Sequence, residues 1–218
     1  MTKRIALIHA VTVAMQPISD AFRKQWPAAE CVNILDDSLS PDRAKTDAIT
    51  PQMFDRFAAL SAYAGLVGAN GVLFTCSAFG PAIEAAARKA SFPVLKPNEA
   101  MYEAALEHGD RIGMVATFRP SVAPMEEEFR ELVEQRKSNA TLTTICIPDA
   151  MAALRAGDPA THNALVAETA RGLAGCDVVM LAHFSTSQAE DEVARGIQVP
   201  VLTSPGSAVR KMKALVDT

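Results

Sequence analysis

Val72-Leu73-Phe74-Thr75-Cys76 is an apolar stretch that returns, 107 residues later, as Val179-Met180-Leu181-Ala182-His183. Two other stretches return at the same offset: Arg4–Ile8 as Arg111–Val115, and Pro93–Leu95 as Pro200–Leu202. Short apolar runs of this length are typical of buried strands in a parallel sheet. Three such runs repeated at one spacing predict two similar halves that face each other. The repeat also pairs Cys76 with His183 at the ends of equivalent strands, where both would flank one cleft.

The composition predicts a globular protein with a sizeable core. Of 218 residues, 49% are hydrophobic and 21% are charged, and the formal net charge is −4. Lys and Arg form no cluster, so we expect no nucleic-acid partner. No apolar run approaches the roughly 18 residues that span a bilayer, so we expect no membrane association. The N-terminus enters a strand pattern at once and is not interpreted as a secretory signal.

The four cysteines are scattered along the chain, and no CxxC pair occurs. This pattern favours free thiols in a reducing cytoplasm over a disulfide framework or a structural zinc site. Cys31, Cys146 and Cys176 lie in or beside strand patterns and are interpreted as core residues. Neither a GxGxxG nor a GxxxxGK[ST] sequence occurs, so no nucleotide cofactor is expected.

Apolar runs alternate with helical patterns, which is typical of βα units on a parallel sheet. The expected fold class is α/β, with two pseudo-symmetric Rossmann-like lobes, each a mainly parallel sheet flanked by helices. The predicted strands are 5–9, 31–35, 72–75, 93–95, 112–116, 142–147, 178–182 and 199–202, and a polar stretch covers 36–47. The predicted helices are 15–25, 53–68, 81–90, 121–135, 162–173, 188–196 and 206–216. The first lobe is predicted to hold residues 1–98 with 205–218, and the second residues 99–204.

Cys76 lies where a predicted strand runs into a turn of small residues before a helix that begins at Pro81. In parallel sheets, ligands bind beyond the carboxyl ends of the strands. A helix N-terminus there would bind a carboxylate and lower the pKa of a thiol. We therefore expect a Cys76 thiolate, with Thr75 and Ser77 as ligands of a carboxylate. The alternatives are a buried core cysteine and hydroxyls that bond only within the turn.

His183 ends the equivalent strand of the second half, and Phe184 and Ser185 follow it. Imidazole titrates near neutral pH, so His183 is a candidate acid or base. The alternative is a hydrogen-bonded histidine that only shapes the pocket. His9 ends the first strand and is expected at the ligand edge, whereas His108 and His162 are expected to be solvated. No metal site is predicted.

Polar residues also follow two other predicted strands. Asn98 and Glu99 come after strand 93–95, where they could fix a substrate, although Glu99 could instead cap the next helix. Thr117 follows strand 112–116 and is a candidate ligand hydroxyl, with Ser121 as the cap of the following helix.

These residues resemble the aspartate/glutamate/hydantoin racemase superfamily over nearly the whole chain. The resemblance rests on the turn Cys76-Ser77-Ala78, on Pro-Val-Leu-x-x-x-Glu at 93–99, on Ala116-Thr117 and on a second turn at 182–187. It implies two lobes with the active site in the cleft between them, catalysis without a cofactor, and a homodimer. In the racemases of the superfamily, a cysteine from each lobe acts on the α-carbon; one removes a proton and the other returns it.

The sequence departs from the superfamily at one decisive position, because His183 stands where the second cysteine is expected. The leading prediction is a cofactor-independent racemase or isomerase that acts on a small carboxylate or related carbonyl compound by proton transfer at carbon. Cys76 would be its base or nucleophile, and His183 the opposing acid or base. A decarboxylase or lyase, a cysteine-dependent cis–trans isomerase and a non-catalytic carboxylate-binding protein stay open as alternatives. The predicted substrate-binding residues are His9, Thr75, Ser77, Ala78, Asn98, Glu99, Thr117, Phe184 and Ser185.

Overall fold

The computed structural model describes residues 2–46 and 48–217 of the chain. The strands are β1 Arg4–His9, β2 Glu30–Leu35, β3 Gly71–Phe74, β4 Val94–Leu95, β5 Arg111–Ala116, β6 Thr141–Cys146, β7 Val178–Leu181 and β8 Val201–Thr203. The α-helices are α1 Met15–Gln25, α2 Leu39–Arg43, α3 Pro51–Leu66, α4 Gly80–Ala87, α5 Glu99–Leu106, α6 Val122–Arg136, α7 Pro148–Arg155, α8 Pro159–Arg171, α9 Glu190–Gly196 and α10 Ser204–Val216. Short 3-10 helices cover Thr12–Ala14, Ser77–Phe79, Arg119–Ser121 and Ser185–Ala189. None of these described helices is long and apolar enough to cross a membrane.

The strands form two parallel four-stranded sheets with the same order, β2-β1-β3-β4 and β6-β5-β7-β8. The pairing register repeats at the offset found in the sequence: Ile5 pairs with Gly71, and Ile112 pairs with Val178. The predicted α/β class with two Rossmann-like lobes is confirmed. The chain divides into two compact units, a first that runs to Ala100 and resumes at Ala208, and a second, Met101–Ser207.

The same polar contact stands at the amino end of both sheets. The backbone N–H of Arg4 donates to Asn70 Oδ1 at 2.8 Å, and that of Arg111 donates to Asp177 Oδ2 at 2.9 Å. In the second unit the Arg111 guanidinium also binds Asp177 Oδ1, at 2.6 Å. The repeat therefore extends from the apolar strands to a hydrogen bond that fixes the start of the central strand in each unit.

Gly109 packs against this contact in the second unit and has a φ of +150°, which L side chains rarely adopt. An added Cβ would lie 2.5 Å from Asp177 Oδ2 and 2.7 Å from its Cβ. We expect Gly109→Ala to lower the free energy of unfolding by about 2 kcal/mol, measured by urea denaturation. The control is Gly175→Ala, whose added Cβ meets no atom within 4 Å, and which should change stability by less than about 0.5 kcal/mol. Equal losses in the two variants would contradict this explanation.

Alternate residues of the second sheet enter two separate apolar cores. Ile112, Met114 and Met180 pack with residues of α5 and α6, whereas Val179 and Leu181 pack with residues of α7, α8 and α9. The central strands of this sheet are covered on both faces: β5 is buried from Ile112 to Ala116, and β7 is buried along its whole length. Both strands are apolar over these stretches, so the polar candidate residues of the second unit, such as Thr117 and His183, lie beyond the ends of β5 and β7.

Helices α2 and α7 were not predicted from the sequence, and α5 was expected only as the unbounded helix that Glu99 could cap. The reason for missing α2 and α7 is their size. Each is short and contributes one buried residue, Leu39 in α2 and Ala150 in α7, so neither produces a periodic apolar pattern. The prediction of a solvated His162 is wrong, because its side chain, on α8, is fully buried; α8 packs against α7, α9 and the 3-10 helix Ser185–Ala189. α2 lies inside the stretch predicted as polar, 36–47, whose last residue, Asp47, is outside the described residues.

Candidate active site

The connections that leave the central strands share one local structure. The chain forms a short 3-10 helix and then an α-helix after each of β1, β3, β5 and β7. β1 lies beside β3, and β5 lies beside β7, in their respective sheets. Because the strands are parallel, the connections after neighbouring strands meet at the carboxyl edge of each sheet. Most of the predicted site residues lie at these two edges.

A hydrogen-bonded group around His9 stands at the carboxyl edge of the first sheet. His9 is fully buried; its Nδ1 is 2.9 Å from Thr75 Oγ1, and its Nε2 is 2.9 Å from Asn33 Oδ1. An amide oxygen can only accept, so Nε2 donates to Asn33 and Nδ1 accepts from the Thr75 hydroxyl. Burial lowers the pKa of His9, and this effect is larger than the opposing effect of the hydrogen bond to Asn33. The lowered pKa favours the neutral ring.

Asn33 was not predicted as a site residue. It lies inside β2 on the strand that borders β1, in register with Leu7. Asparagine is depleted in strands, and its presence there was the one signal in the sequence that could have marked it.

Cys76 follows β3 by two residues and has an extended backbone, with φ −119° and ψ 121°. Its side chain is partly buried, whereas Ser77 and Ala78, which follow it, are exposed. Burial raises the pKa of the thiol, and a hydrogen bond from the backbone of Ala78 only partly opposes this effect. This direction is opposite to the lowered pKa that was expected from a helix N-terminus. The α-helix begins only at Gly80, after the 3-10 turn, and desolvation of the sulfur outweighs it.

His183 follows β7 by two residues, the position equivalent to Cys76, but its backbone is left-handed, with φ 71°. Its Nε2 is 2.6 Å from Ser121 Oγ. Its Nδ1 is buried and has no hydrogen-bond partner within the described part of the chain. Burial lowers the pKa of His183 to about 4, although the backbone carbonyl of Ala182 favours the protonated ring. The ring is therefore a neutral imidazole at pH 7.

Hydroxyl groups are also present in the connections that leave β5 and β7, at the edge of the second sheet. Thr117 and Thr186 are both fully buried, with their Oγ1 atoms 3.3 Å apart. Ser185 is partly buried at the start of its 3-10 helix, and Phe184 before it is buried. Ser121 occupies the N-cap position of α6, as predicted, but its side chain makes no capping bond to a backbone N–H. Thr186 was missed as a candidate, although it lies in the hydroxyl-rich turn that the sequence marked.

Asn98 and Glu99 lie after β4, as expected from the sequence. Asn98 is buried, and Glu99 is the first residue of α5. The Glu99 carboxylate accepts a hydrogen bond from Lys211 Nζ at 2.7 Å. Its charge is thus already balanced by a lysine of α10, and a role for Glu99 toward a substrate stays a prediction.

The remaining cysteines carry no comparable surroundings. All four cysteines are free and partly buried, and burial raises the pKa of Cys31 to about 11. The described residues include no cluster of three or more His, Cys, Asp or Glu side chains that could hold a metal ion.

The sequence matches the family described as Asp/Glu/Hydantoin racemase over residues 9–212. No curated protein matches it. Among solved structures, allantoin racemase from Klebsiella pneumoniae aligns with a TM-score of 0.70 at 19% identity, over 99% of this chain and 88% of that chain. An aspartate racemase homologue from Pyrococcus horikoshii OT3 aligns with a TM-score of 0.72 at 14% identity, over 100% of both chains. Arylmalonate decarboxylase aligns with a TM-score of 0.64 at 15% identity, over 99% of this chain and 93% of that chain. These structures share the fold, and because the family match covers nearly the whole sequence, the chain belongs to the Asp/Glu/hydantoin racemase family.

Proposed function

We propose that the protein is a cofactor-independent racemase or isomerase that moves a proton at a carbon centre of a small carboxylate or related carbonyl compound. The observation that carries the proposal is the pair of proton-carrying side chains at equivalent positions, Cys76 after β3 and His183 after β7. Membership of the racemase family supports an isomerase. The family resemblance and the free cysteines further support a homodimer in a reducing cytoplasm.

The resting protonation states favour distinct roles for the two groups. His183 is neutral, with an unpartnered Nδ1, and is therefore suited to accept a proton. Cys76 has a raised pKa and is therefore suited to donate one. This assignment reverses the one expected from the sequence, in which Cys76 was the base.

The proposed step conserves protons and electrons. The substrate C–H bond breaks as His183 Nδ1 takes the proton, and the electron pair moves onto the carbonyl or carboxylate oxygen to form an enolate. The Cys76 S–H bond then breaks, and its proton forms a new C–H bond. The imidazolium returns a proton to the thiolate through water before the next turnover. Each proton transfer of this kind contributes about 10²–10⁴-fold to the rate.

The enolate oxygens need hydrogen-bond donors placed before the reaction begins. We assign this role to the hydroxyls of Ser77, Thr117 and Ser185, with the adjacent backbone N–H groups. The Thr75 hydroxyl gives its one proton to His9, whose ring is in turn held by Asn33, so we assign Thr75 to fixing the shape of this edge and to contacting a substrate only as an acceptor. The buried pair Thr117 and Thr186 supports an equivalent role in the second unit.

Proton transfer through the Cys76 thiol predicts that solvent deuterium enters the substrate. In deuterium oxide the S–H exchanges to S–D, so product formed in a single turnover should carry deuterium at the stereocentre. The measurement is NMR or mass spectrometry of a panel of small chiral carboxylates. An accepted substrate converted without exchange would contradict proton transfer and would favour covalent attack of Cys76 on an alkene.

Decarboxylation is a second candidate, favoured by the protonated state of Cys76. In that reaction a C–C bond breaks to release carbon dioxide, the electron pair remains as an enolate, and the Cys76 S–H supplies the proton to carbon. Water then restores the thiol. The structural similarity to arylmalonate decarboxylase agrees with this alternative at the level of the fold. Release of carbon dioxide from a malonate, with no racemisation of monocarboxylates, would favour it over the first proposal.

A further inference from the structure

Ser121 ends the 3-10 helix that follows β5, and its hydroxyl lies between two polar atoms. Ser121 Oγ is 2.7 Å from the carbonyl oxygen of Phe118 and 2.6 Å from His183 Nε2. A hydroxyl carries one proton, and a carbonyl oxygen carries none. The hydroxyl proton must therefore point at Phe118, because two oxygens with no proton between them would repel each other at 2.7 Å.

That orientation decides which nitrogen of His183 carries the proton. With its own proton on Phe118, Ser121 Oγ presents lone pairs to Nε2, so Nε2 must be the donor. A neutral imidazole has one N–H, and Nδ1 is therefore unprotonated. Nδ1 is also the ring atom that is buried and unpartnered within the described part of the chain. This arrangement of protons accounts for both contacts of Ser121 Oγ, and the backbone carbonyl of Ala182 favours the ring once it has taken up a second proton.

The backbone of His183 independently indicates that the ring position is imposed by its surroundings. A non-glycine residue at φ 71° is disfavoured by about 1–2 kcal/mol relative to the ordinary helical region. Such conformations persist where neighbouring contacts determine them, and they cluster at functional sites. The bond to Ser121, from a residue 62 positions away, is a contact of this kind.

We propose that Ser121 is a positioning residue that fixes the tautomer of His183 and thereby presents Nδ1, not Nε2, as the proton acceptor for the substrate. The identity of the reaction rests on the proposed function, but the tautomer is a property of the unliganded protein. When Nδ1 takes a proton, the ring becomes a cation, and the bond from Nε2–H to Ser121 Oγ becomes charge-assisted and stronger. Ser121 thus stabilises the protonated product of the step as well as orienting the base.

The tautomer can be measured without any substrate. In protein with 15N-labelled histidine, two-bond 1H–15N correlation spectra at pH 7 should show a protonated Nε2 and an unprotonated Nδ1 for His183. The resonance is assigned by its loss in His183→Asn. In Ser121→Ala the two nitrogen shifts should move toward each other as both tautomers become populated, and Ser121→Thr should restore the wild-type pattern. A protonated Nδ1 in the wild type, or an unchanged pattern in Ser121→Ala, would overturn the proposal.

Kinetics on a substrate found in the exchange screen provide the second readout. Ser121→Ala should lower kcat about tenfold with KM nearly unchanged, the effect of one hydrogen bond, and Ser121→Thr should recover most of it. The control is Ser187→Ala, because Ser187 Oγ makes the same bond to a carbonyl three residues back, that of Phe184, at 2.7 Å. Equal losses in Ser121→Ala and Ser187→Ala would overturn the positioning role. If Ser121 fixes the tautomer as described but no substrate exchanges, the proposed function fails and the positioning role of Ser121 stands.

Discussion

Cys76→Ala is expected to lower kcat/KM by about 10³-fold or more while the protein remains folded. The side chain supplies the proton that re-forms the C–H bond, and removal of a general acid typically costs 10²–10⁴-fold in rate. The thiol is small and only partly buried, so its loss should lower the free energy of unfolding by about 1 kcal/mol. Steady-state kinetics and urea denaturation of the same preparation test both statements.

Cys176→Ala is the matched control for this variant. Cys176 is also a free, partly buried cysteine, and burial also raises the pKa of its thiol. It precedes β7 and lies at the amino edge of the second sheet, whereas Cys76 follows β3 at a carboxyl edge. The control should keep the wild-type rate. Comparable rates for Cys76→Ala and the wild type would disprove the catalytic role of Cys76.

Cys76→Ser separates proton donation from covalent chemistry. A serine hydroxyl is a far weaker acid than a thiol and a poor nucleophile without an adjacent base, so both mechanisms lose rate. Only in the covalent mechanism should a substrate alkene trap the wild-type enzyme as an adduct with the mass of the substrate. The raised pKa of Cys76 implies slow alkylation at pH 7 that accelerates as the pH rises.

The sheets could be predicted from the sequence because buried parallel strands appear as uninterrupted apolar runs. The equivalence of Cys76 and His183 followed from the same runs, since the offset that relates β3 to β7 continues two residues beyond them. α7 and the burial of His162 could not be predicted in this way. A short helix with one buried residue has no recognisable period, and the burial of His162 depends on the packing of α8, which its polar neighbours in the sequence do not reveal.

The pKa shifts and the long-range hydrogen bonds of the site could not be predicted from the sequence either. The direction of the Cys76 pKa is decided by how much protein surrounds the sulfur, and residues distant in the chain provide that burial. The Ser121–His183 bond joins residues 62 positions apart in connections that follow two different strands. The sequence predicted Ser121 at the N-cap of the following helix, where it lies, but not that its hydroxyl would contact His183 instead of a backbone N–H.

The two halves differ in backbone where they differ in chemistry. Cys76 is extended and His183 is left-handed, although both follow equivalent strands at the same distance. A left-handed conformation turns the side chain in a direction that an extended residue cannot adopt. Cys76 and His183 therefore differ in backbone conformation as well as in the group that carries the proton, and the two positions are not interchangeable.

His183→Asn is expected to lower kcat/KM by about 10²–10³-fold, because asparagine cannot accept the substrate proton. Asparagine is the suitable replacement, since among non-glycine residues it tolerates a positive φ best. His183→Ala removes the same base but keeps the disfavoured backbone, and it should be the less stable of the two variants by about 1 kcal/mol. Thermal unfolding at pH 8 compares them. If His183→Asn retained the wild-type rate, the base would have to be another group.

The same variant tests the neutral state of His183 through the pH dependence of stability. The pKa of His183 in the folded protein is about 4, below the value of about 6.5 for an unfolded histidine. Above pH 6.5 neither state binds the proton, and the full stability is present. As the pH falls from 6.5 toward 4, His183 binds a proton in the unfolded chain but not in the folded protein. His183 therefore lowers the free energy of unfolding by at most about 1.4 kcal/mol per pH unit over this range. His9, whose pKa is also lowered by burial, contributes in the same direction in both proteins and cancels from their difference. His183→Asn should therefore lose less stability than the wild type between pH 6.5 and 4. Parallel stability curves would mean that His183 takes up its proton as readily in the folded protein as in the unfolded chain. His183 would then not be the buried neutral base.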